Sequence, residues 1–290
     1  MKKVRLAVIP VAGYGTRFLP FTKAVPKPML PILNRPAIEI IAKEAADSGI
    51  EEIVFVVGHK KEILQDHFSP CEELERVLQK GNKQEFLNAI KFPETIAKVH
   101  FVVQEKQRGT ADAIMAAESF IGDQPFAVLF GDDVMYNKEK PVLKQLIDLY
   151  DKTQKTVIGV KTVPHEDVPK YASVEFDSQN GREYHVTTIT EKPPLELVKS
   201  DISPLGRYVC APNMVEIMRN LTPGAGGEYQ LTDALDIDAR TNGAYAYEFE
   251  GIRYDMGDRL GYLKANVEFG LRDEKLSKDF LAYLKELVKD

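Results

Sequence analysis

Residues 7–31 read AVIPVAGYGTRFLPFTKAVPKPMLP, and the change of texture along this stretch decides the reading of the chain. The apolar run from Val4 to Val11 has the composition of a buried strand. It empties into Gly13, Tyr14 and Gly15, where two glycines allow backbone angles and close approach that side chains forbid. Arg17, Lys23 and Lys27 follow, on a segment that Pro20, Pro26, Pro28 and Pro31 are expected to keep extended rather than helical. A strand that ends in exposed backbone N–H groups followed by fixed positive charge is a place to hold a polyphosphate. Two better known phosphate loops do not fit. The dinucleotide fingerprint wants a third glycine where Phe18 stands and an acid closing the second strand, which instead runs from Ile53 to Val57 into Gly58 and His59. The pattern GxxxxGK[ST] is absent.

Outward from this loop, Pro36 to Ser48 carries Ile38, Ile41, Ala42 and Ala45 at helical spacing and stops at Gly49, so the first part reads strand, loop, helix, strand. Such a unit feeds a parallel sheet. Residues 60–91 are charged and helix-permissive, with breaks at Pro70 and Gly81, and read as a helical insertion. Val99–Gln104 and Phe126–Phe130 are the third and fourth strands, with a helix over Gly109–Phe120 between them. From Thr156 the segments VIGVKTV, ASVEFD and HVTTITE are strand-like, and Asn180 with Gly181 suits a tight hairpin turn, so this half is expected to extend the sheet with antiparallel strands. A strand at Gly206–Ala211, helices at Pro212–Asn220 and Tyr229–Thr241, a last strand at Ala244–Glu250 and two helices from Leu260 to Asp290 complete an α/β fold.

At 290 residues the chain buries a substantial core, and one large domain is the first expectation. A formal charge of −6 with no dense basic run argues against nucleic acid as a partner, and local clusters of cations in an acidic chain point to small anions. Cys71 and Cys210 are the only cysteines, far apart and without metal-ligand spacing, which fits a reducing compartment. Lys2 and Lys3 precede an apolar stretch in the manner of a signal peptide, but Arg5 and Pro10 interrupt it. No segment approaches a membrane-spanning length, so a cytoplasmic protein with no membrane partner is expected.

The run GYGTRFLPFTKAVPKPML at 13–30 resembles the signature of the sugar-1-phosphate nucleotidyltransferases. GDD at 131, EKP at 191, GAGGEYQLTDAL at 224 and LGYLKANVEFG at 260 resemble further family segments in the same order, so the likeness spans nearly the whole chain. It implies a Rossmann-like mixed, mostly parallel sheet flanked by helices. It also implies a catalytic domain over 1–259 and a helical extension over 260–290, packed on that domain or at an oligomer interface. The implied reaction is transfer of a uridylyl group from UTP to glucose 1-phosphate with Mg2+, giving UDP-glucose and pyrophosphate, in a homodimer or homotetramer. Transfer of thymidylyl or cytidylyl groups, and a non-catalytic sugar-nucleotide sensor, are the rival readings.

Such a transfer needs in-line positioning and charge neutralisation more than covalent help, because the attacking sugar phosphate is already anionic. Magnesium prefers one or two carboxylates with phosphates and water. Asp132 and Asp133 stand at a strand end, and neighbours on a strand face opposite ways, so one of them is the ligand. The resemblance selects Asp132 and adds Asp255 as the second metal carboxylate, while Asp258 reads as a helix N-cap. By the same resemblance Glu191 takes sugar hydroxyls, Lys192 meets the sugar phosphate, and Ala172 stands where a sugar-contacting glycine is usual. Ala12, Gly13, Gly15, Thr16, Gln104 and Gly109 form the nucleotide side, Gln104 through an amide that offers both donor and acceptor. Arg17 and Lys27 face the triphosphate, Lys23 more weakly. Pro28 replaces a usual glutamate. The five histidines, at 59, 67, 100, 165 and 185, show no ligand spacing and read as structural.

Overall fold

The computed structural model describes residues 2–58 and 61–289, so His59 lies outside the described residues. The chain opens with β1 (Leu6–Pro10), a hairpin of β2 (Pro31–Ile32) and β3 (Arg35–Pro36), α1 (Ala37–Asp47) and β4 (Glu52–Val57). Between β1 and β2 the expected extended loop is instead folded into three single 3-10 turns at Thr16–Phe18, Phe21–Lys23 and Lys27–Met29. Proline disfavours the interior of an α-helix, but its fixed φ suits one tight turn, as Pro28 does in the third. The insertion after β4 forms α2 (Lys61–His67), α3 (Glu72–Lys80) and α4 (Gln84–Thr95). The exposed Cys71 precedes α3.

The next stretch contains β5 (Lys98–Val103), α5 (Thr110–Met115), α6 (Glu118–Ile121), β6 (Phe126–Leu129), β7 (Asp133–Tyr136) and α7 (Val142–Thr153). It is followed by β8 (Thr156–Thr162), β9 (Ala172–Asn180), β10 (Glu183–Glu191), β11 (Ile202–Cys210), α8 (Met214–Arg219) and α9 (Leu231–Thr241). The last elements are β12 (Ala244–Glu248), β13 (Ile252–Asp255), α10 (Arg259–Arg272) and α11 (Ser277–Leu287). The hairpin turn falls on Gly181 and Arg182, one residue later than expected, with Asn180 paired to Glu183 and Gly181 at φ 59°.

Among the described residues, nine strands form one sheet in the order β5-β4-β1-β6-β11-β8-β12-β10-β9. Only β10 and β11 run against the other strands, so the sheet is mixed and mostly parallel. The second half extends the sheet through antiparallel pairings as expected, except that β12 lies parallel to β8. The sequence reading also missed β7 and β13, an antiparallel ribbon that pairs Asp133 with Asp255 outside the main sheet. That ribbon is short and charged at the paired end, which hides it from a search for apolar alternation.

Side chains alternate between two buried faces along the strands, as a sheet covered on both sides requires. Ala7, Ile9, Ile53 and Phe55 pack with Ile38, Ile41 and Ala45 of α1 on one face, while Leu6, Val8, Val54 and Val56 pack with Ile114 and Ala117 on the other. Burying each of the larger side chains contributes about 1.5–3 kcal/mol. One ionic link crosses the first layer. Arg207 of β11, fully buried, donates from Nε to both carboxylate oxygens of Glu44 in α1 at 3.1 Å and from Nη2 to Glu44 Oε2 at 2.7 Å. The same guanidinium donates to the carbonyls of Gly206 at 2.9 Å and Asp133 at 2.7 Å, and Glu44 Oε1 accepts from the backbone N–H of Leu143 in α7 at 3.1 Å.

Helix α10 is capped by Asp258, whose Oδ2 accepts from Gly261 N–H at 2.9 Å, and it packs on the glycine loop. Tyr262 meets Phe18 edge-on at 5.8 Å, and Arg259 Nε donates to the carbonyl of Arg17 at 3.1 Å. No helix among the described residues is long and apolar enough to cross a membrane.

Candidate active site

The ends of β1, β5 and β6 meet the open end of the β9–β10 hairpin around a cleft of about 530 Å³. Ala12, Gly13, Arg17, Gln104, Gly109 and Asp132 wall it on one side, Ala172, Glu191 and Lys192 on the other. A second hollow of about 800 Å³ continues past Arg17 and Asp132 to Arg253 and Asp255, and a small one of about 100 Å³ holds Gly13, Gly15 and Lys27 beside Asp132. Thr16 and Lys23 line none of these three spaces.

The loop is shaped by contacts that only glycine permits. Gly15 has φ 63°, and a methyl group there meets Lys27 Cβ at 2.8 Å. Gly13, by contrast, has nothing within 4 Å of such a methyl, so its backbone faces open space. The carbonyl of Gly15 accepts from Phe18 N–H and from Thr22 Oγ1, both at 2.9 Å, which closes the loop on itself. Lys27 thereby lies under the loop, its side chain 14% exposed, with Nζ 2.7 Å from Asp132 Oδ2.

Asp132 and Asp133 part company at this turn. Burial works against a charge on Asp132, but Lys27, through its charge and its hydrogen bond, and then Arg253 overcome it and hold this carboxyl below the usual range. Asp133 opens β7 and points inward. Burial pushes its carboxyl up to about 6, against Arg253, whose Nε donates to Oδ1 at 2.6 Å. Asp255 lies across the ribbon, with Oδ1 accepting from Gly257 N–H at 2.7 Å. A methyl built on Gly257 meets Asp255 Oδ1 at 2.8 Å and both Asp132 Oδ2 and Arg17 Nη2 at 3.3 Å. Two carboxylates and a guanidinium from three distant segments therefore converge on one point that only a glycine leaves open. No group of three or more His, Cys, Asp or Glu side chains gathers as metal ligands among the described residues. A pair of hard oxygen donors suits a cation that completes its shell with phosphate and water, the habit of magnesium.

On the opposite wall Ala172 and Glu191 are register partners. Glu191 Oε2 accepts from Thr232 Oγ1 at 2.7 Å, and Oε1 lies 3.5 Å from Lys192 Nζ. Lys192 adopts φ 43°, a left-handed angle unusual outside glycine, and its N–H donates to the carbonyl of Tyr171 at 2.7 Å. Tyr171 carries Arg253 over its ring, the guanidinium carbon 5.3 Å from the ring centre.

Gln104 is more committed than its sequence suggests. Its Nε2 donates to Asp112 Oδ2 at 2.9 Å and lies 3.5 Å from the carbonyl of Gly109, so the part it offers the cleft is its carbonyl oxygen. Gly109 also differs from expectation. At φ 117°, it is approached by the backbone of Tyr229, whose carbonyl oxygen lies 2.3 Å from a methyl built there, so its glycine serves chain packing as well as the cleft. Sequence reasoning passed over Arg253, Tyr171, Thr232 and Gln107, the last of which donates to the carbonyl of Ala12. Arg253 was open to discovery, since it sits two residues before Asp255 and shares its face on a strand. Glu44 and Arg207 carry no local signal.

The sequence profile described as nucleotidyl transferase matches residues 6–270. The chain is 43% identical over 287 residues to a protein of Staphylococcus saprophyticus named UTP:glucose-1-phosphate uridylyltransferase 2, covering 99% of each. It is likewise 43% identical over 288 residues to the UTP:glucose-1-phosphate uridylyltransferase of Bacillus subtilis, covering 99% of this chain and 98% of that one. The solved structure of a UTP-bound UGPase from Acinetobacter baumannii superposes with a TM-score of 0.91 at 35% identity, over 98% of this chain and 99% of that one.

Proposed function

The chain belongs to the nucleotidyl transferase family, and on that premise we propose how its cleft divides the work of transferring a uridylyl group from UTP to glucose 1-phosphate. The reaction makes UDP-glucose and releases pyrophosphate. The carbonyl oxygen of Gln104 accepts the single N–H of the uracil edge, while backbone N–H groups at Ala12 and Gly13 meet the flanking carbonyls. Gly109 gives the nucleoside room. The backbone from Gly13 through Gly15 and Thr16 wraps the triphosphate, with Arg17 and Lys27 opposing the charge that grows on the departing pyrophosphate; a contact of that kind is worth about 10²–10³ in rate.

Asp132 and Asp255 would hold Mg2+, which when bound neutralises phosphate charge that side chains alone leave uncompensated. Glu191 accepts from hydroxyl groups of the sugar, beside the backbone at Ala172, and Lys192 grips the sugar phosphate. With both substrates seated, a phosphate oxygen of glucose 1-phosphate attacks the α-phosphorus in line, and the bond to the bridging oxygen of pyrophosphate breaks. No base is required, since the attacking oxygen carries its charge already. The same reading has the chain act in the cytoplasm as a homodimer or homotetramer, its contacts supplied by α10 and α11, where Leu260, Leu263, Tyr283 and Leu287 are exposed.

The observation that carries this division is the meeting of Gly13, Asp132, Glu191 and Lys192 around one cleft from segments far apart in sequence. The test is pyrophosphate release from glucose 1-phosphate and other hexose 1-phosphates with UTP, dTTP, CTP and GTP in turn, with and without chelator. UTP with glucose 1-phosphate should give the highest kcat/KM, and chelation should abolish it. Faster turnover of dTTP or CTP would transfer the assignment to another base.

A further inference from the structure

Arg253 links the ribbon that carries Asp133 and Asp255 to Tyr171, which lines the cleft. Nε donates to Asp133 Oδ1 at 2.6 Å, Nη2 lies 3.4 Å from Asp255 Oδ2, and Nη1 donates to Tyr171 Oη at 3.2 Å. Its side chain is 17% exposed and lines the second hollow rather than the first cleft. Beyond it, the carbonyl of Tyr171 accepts the N–H of Lys192 at 2.7 Å, the bond that fixes Lys192 at φ 43°. A continuous path thus runs from Asp255 through Arg253 and Tyr171 to Lys192, crossing from the ribbon of β7 and β13 to the end of the β9–β10 hairpin. Lys27 bonds Asp132 only within one wall of the cleft.

We propose that Arg253 is a positioning residue for the transfer. From the second hollow, outside the first cleft, it sets the spacing between the carboxylate pair of Asp132 and Asp255 and the turn that carries Lys192. The proposal rests on the division of labour above. Neutralising the buried Asp133 needs only one positive charge, which a lysine supplies as well. Holding Asp133, Asp255 and the Tyr171 hydroxyl at once needs the planar fork of a guanidinium. A substitution that keeps the charge and removes the fork therefore separates a structural role from a positioning one.

The variants Arg253→Lys and Tyr171→Phe, and the two combined, separate these roles through kcat, KM for each substrate, thermal midpoint and calorimetric binding of UDP-glucose. Positioning errors near a reacting centre cost about a hundredfold per ångström, so Arg253→Lys should lower kcat by about tenfold or more. It should also raise KM for glucose 1-phosphate and weaken UDP-glucose binding, while KM for UTP and the thermal midpoint stay close to wild type. Tyr171→Phe should shift the same quantities in the same direction, less far. In the double variant the two effects should fall short of multiplying, because both break one path. Equal damage to both KM values with a lowered midpoint marks a purely structural arginine and overturns the proposal, as do effects that multiply. If Arg253→Lys does not fold, Tyr171→Phe decides alone: unchanged glucose 1-phosphate kinetics overturn the idea. Failure of the underlying reading shows separately, as wild-type protein that makes no UDP-glucose.

Discussion

Replacing Glu44 by glutamine leaves a guanidinium in the interior without its counter-ion, and the size of the loss follows from the geometry. Arg207 has no exposed side-chain surface and Glu44 has 7%, so the pair is almost wholly withdrawn from water. Three of the contacts of Arg207 go to the carboxylate and two to the carbonyls of Gly206 and Asp133. Removing one member of such a buried pair costs about 3–5 kcal/mol, because the remaining charge has already lost its hydration. For a chain of this size each kcal/mol moves the thermal midpoint by about 2–4 °C, so Glu44→Gln should melt roughly 6–20 °C lower. Arg207→Met should cost a similar amount. Glu44→Leu combined with Arg207→Met removes both charges and refills the volume, and leaves the Leu143 N–H and the Asp133 carbonyl short of a partner at about 1–3 kcal/mol each. The double variant should therefore lose less than the two single losses added together. Thermal melts followed by circular dichroism, with scan-rate controls, measure all of this. A Glu44→Gln midpoint within 2 °C of wild type, about 1 kcal/mol or less, or a double variant showing the full sum, refutes the reasoning.

Three further outcomes are expected. Asp132→Asn keeps the shape of the side chain and removes its charge, so UDP-glucose formation should fall by about 10²–10³ while the fold persists; activity within tenfold of wild type would remove Asp132 from the centre of the reaction. Gly109→Ala forces a left-handed φ of 117° on a side chain and drives a methyl to 2.3 Å from the Tyr229 carbonyl oxygen, so the protein should lose about 1–3 kcal/mol and KM for UTP should rise, read from melts and initial rates. The Tyr254 hydroxyl is pushed up to about 12 by burial and by its hydrogen bond to Glu268. Because this lies above the unfolded value of about 10, its contribution to stability is complete below that value and is lost as pH rises through about 12. Burial also raises the hydroxyls of Tyr150, Tyr184 and Tyr208, so ultraviolet titration should show a late-ionising group of tyrosines from which Tyr254→Phe removes one.

The parts of the fold that can be read without coordinates are those whose signal is local. Leu6 to Pro10 and Glu52 to Val57 are apolar runs with the length of buried strands, α1 announces itself by the spacing of Ile38, Ile41 and Ala45, and Asp258 precedes its helix as a cap should. The segments gathered at the cleft were also visible, because glycine, proline and charge cluster there in short runs. What was hidden depends on distant partners. The ribbon of β7 and β13 pairs residues more than a hundred positions apart. The fork of Arg253 cannot be inferred from a lone arginine, since its partner Asp133 is 120 positions away, and even the nearby engagement of Gln104 by Asp112 is not given by an amide's donor and acceptor inventory. Prolines misled in the other direction: they excluded a long helix after Gly15, and three tight turns took its place.

The strand order carries a consequence for how the chain is made. β6 is flanked by β1, which precedes it, and by β11, whose pairing residues end at Cys210. While the polypeptide emerges from a ribosome, the sequence FAVL of β6 thus presents a bare hydrogen-bonding rim. At about 5–20 residues per second, the wait between Leu129 and Cys210 lasts roughly 4–16 seconds. Ribosome-bound chains stalled before residue 202 should accordingly recruit more holdase chaperone than chains stalled after the whole of β11 has cleared the exit tunnel, and the remaining rim, on β8, should be covered only once β12 has emerged as well.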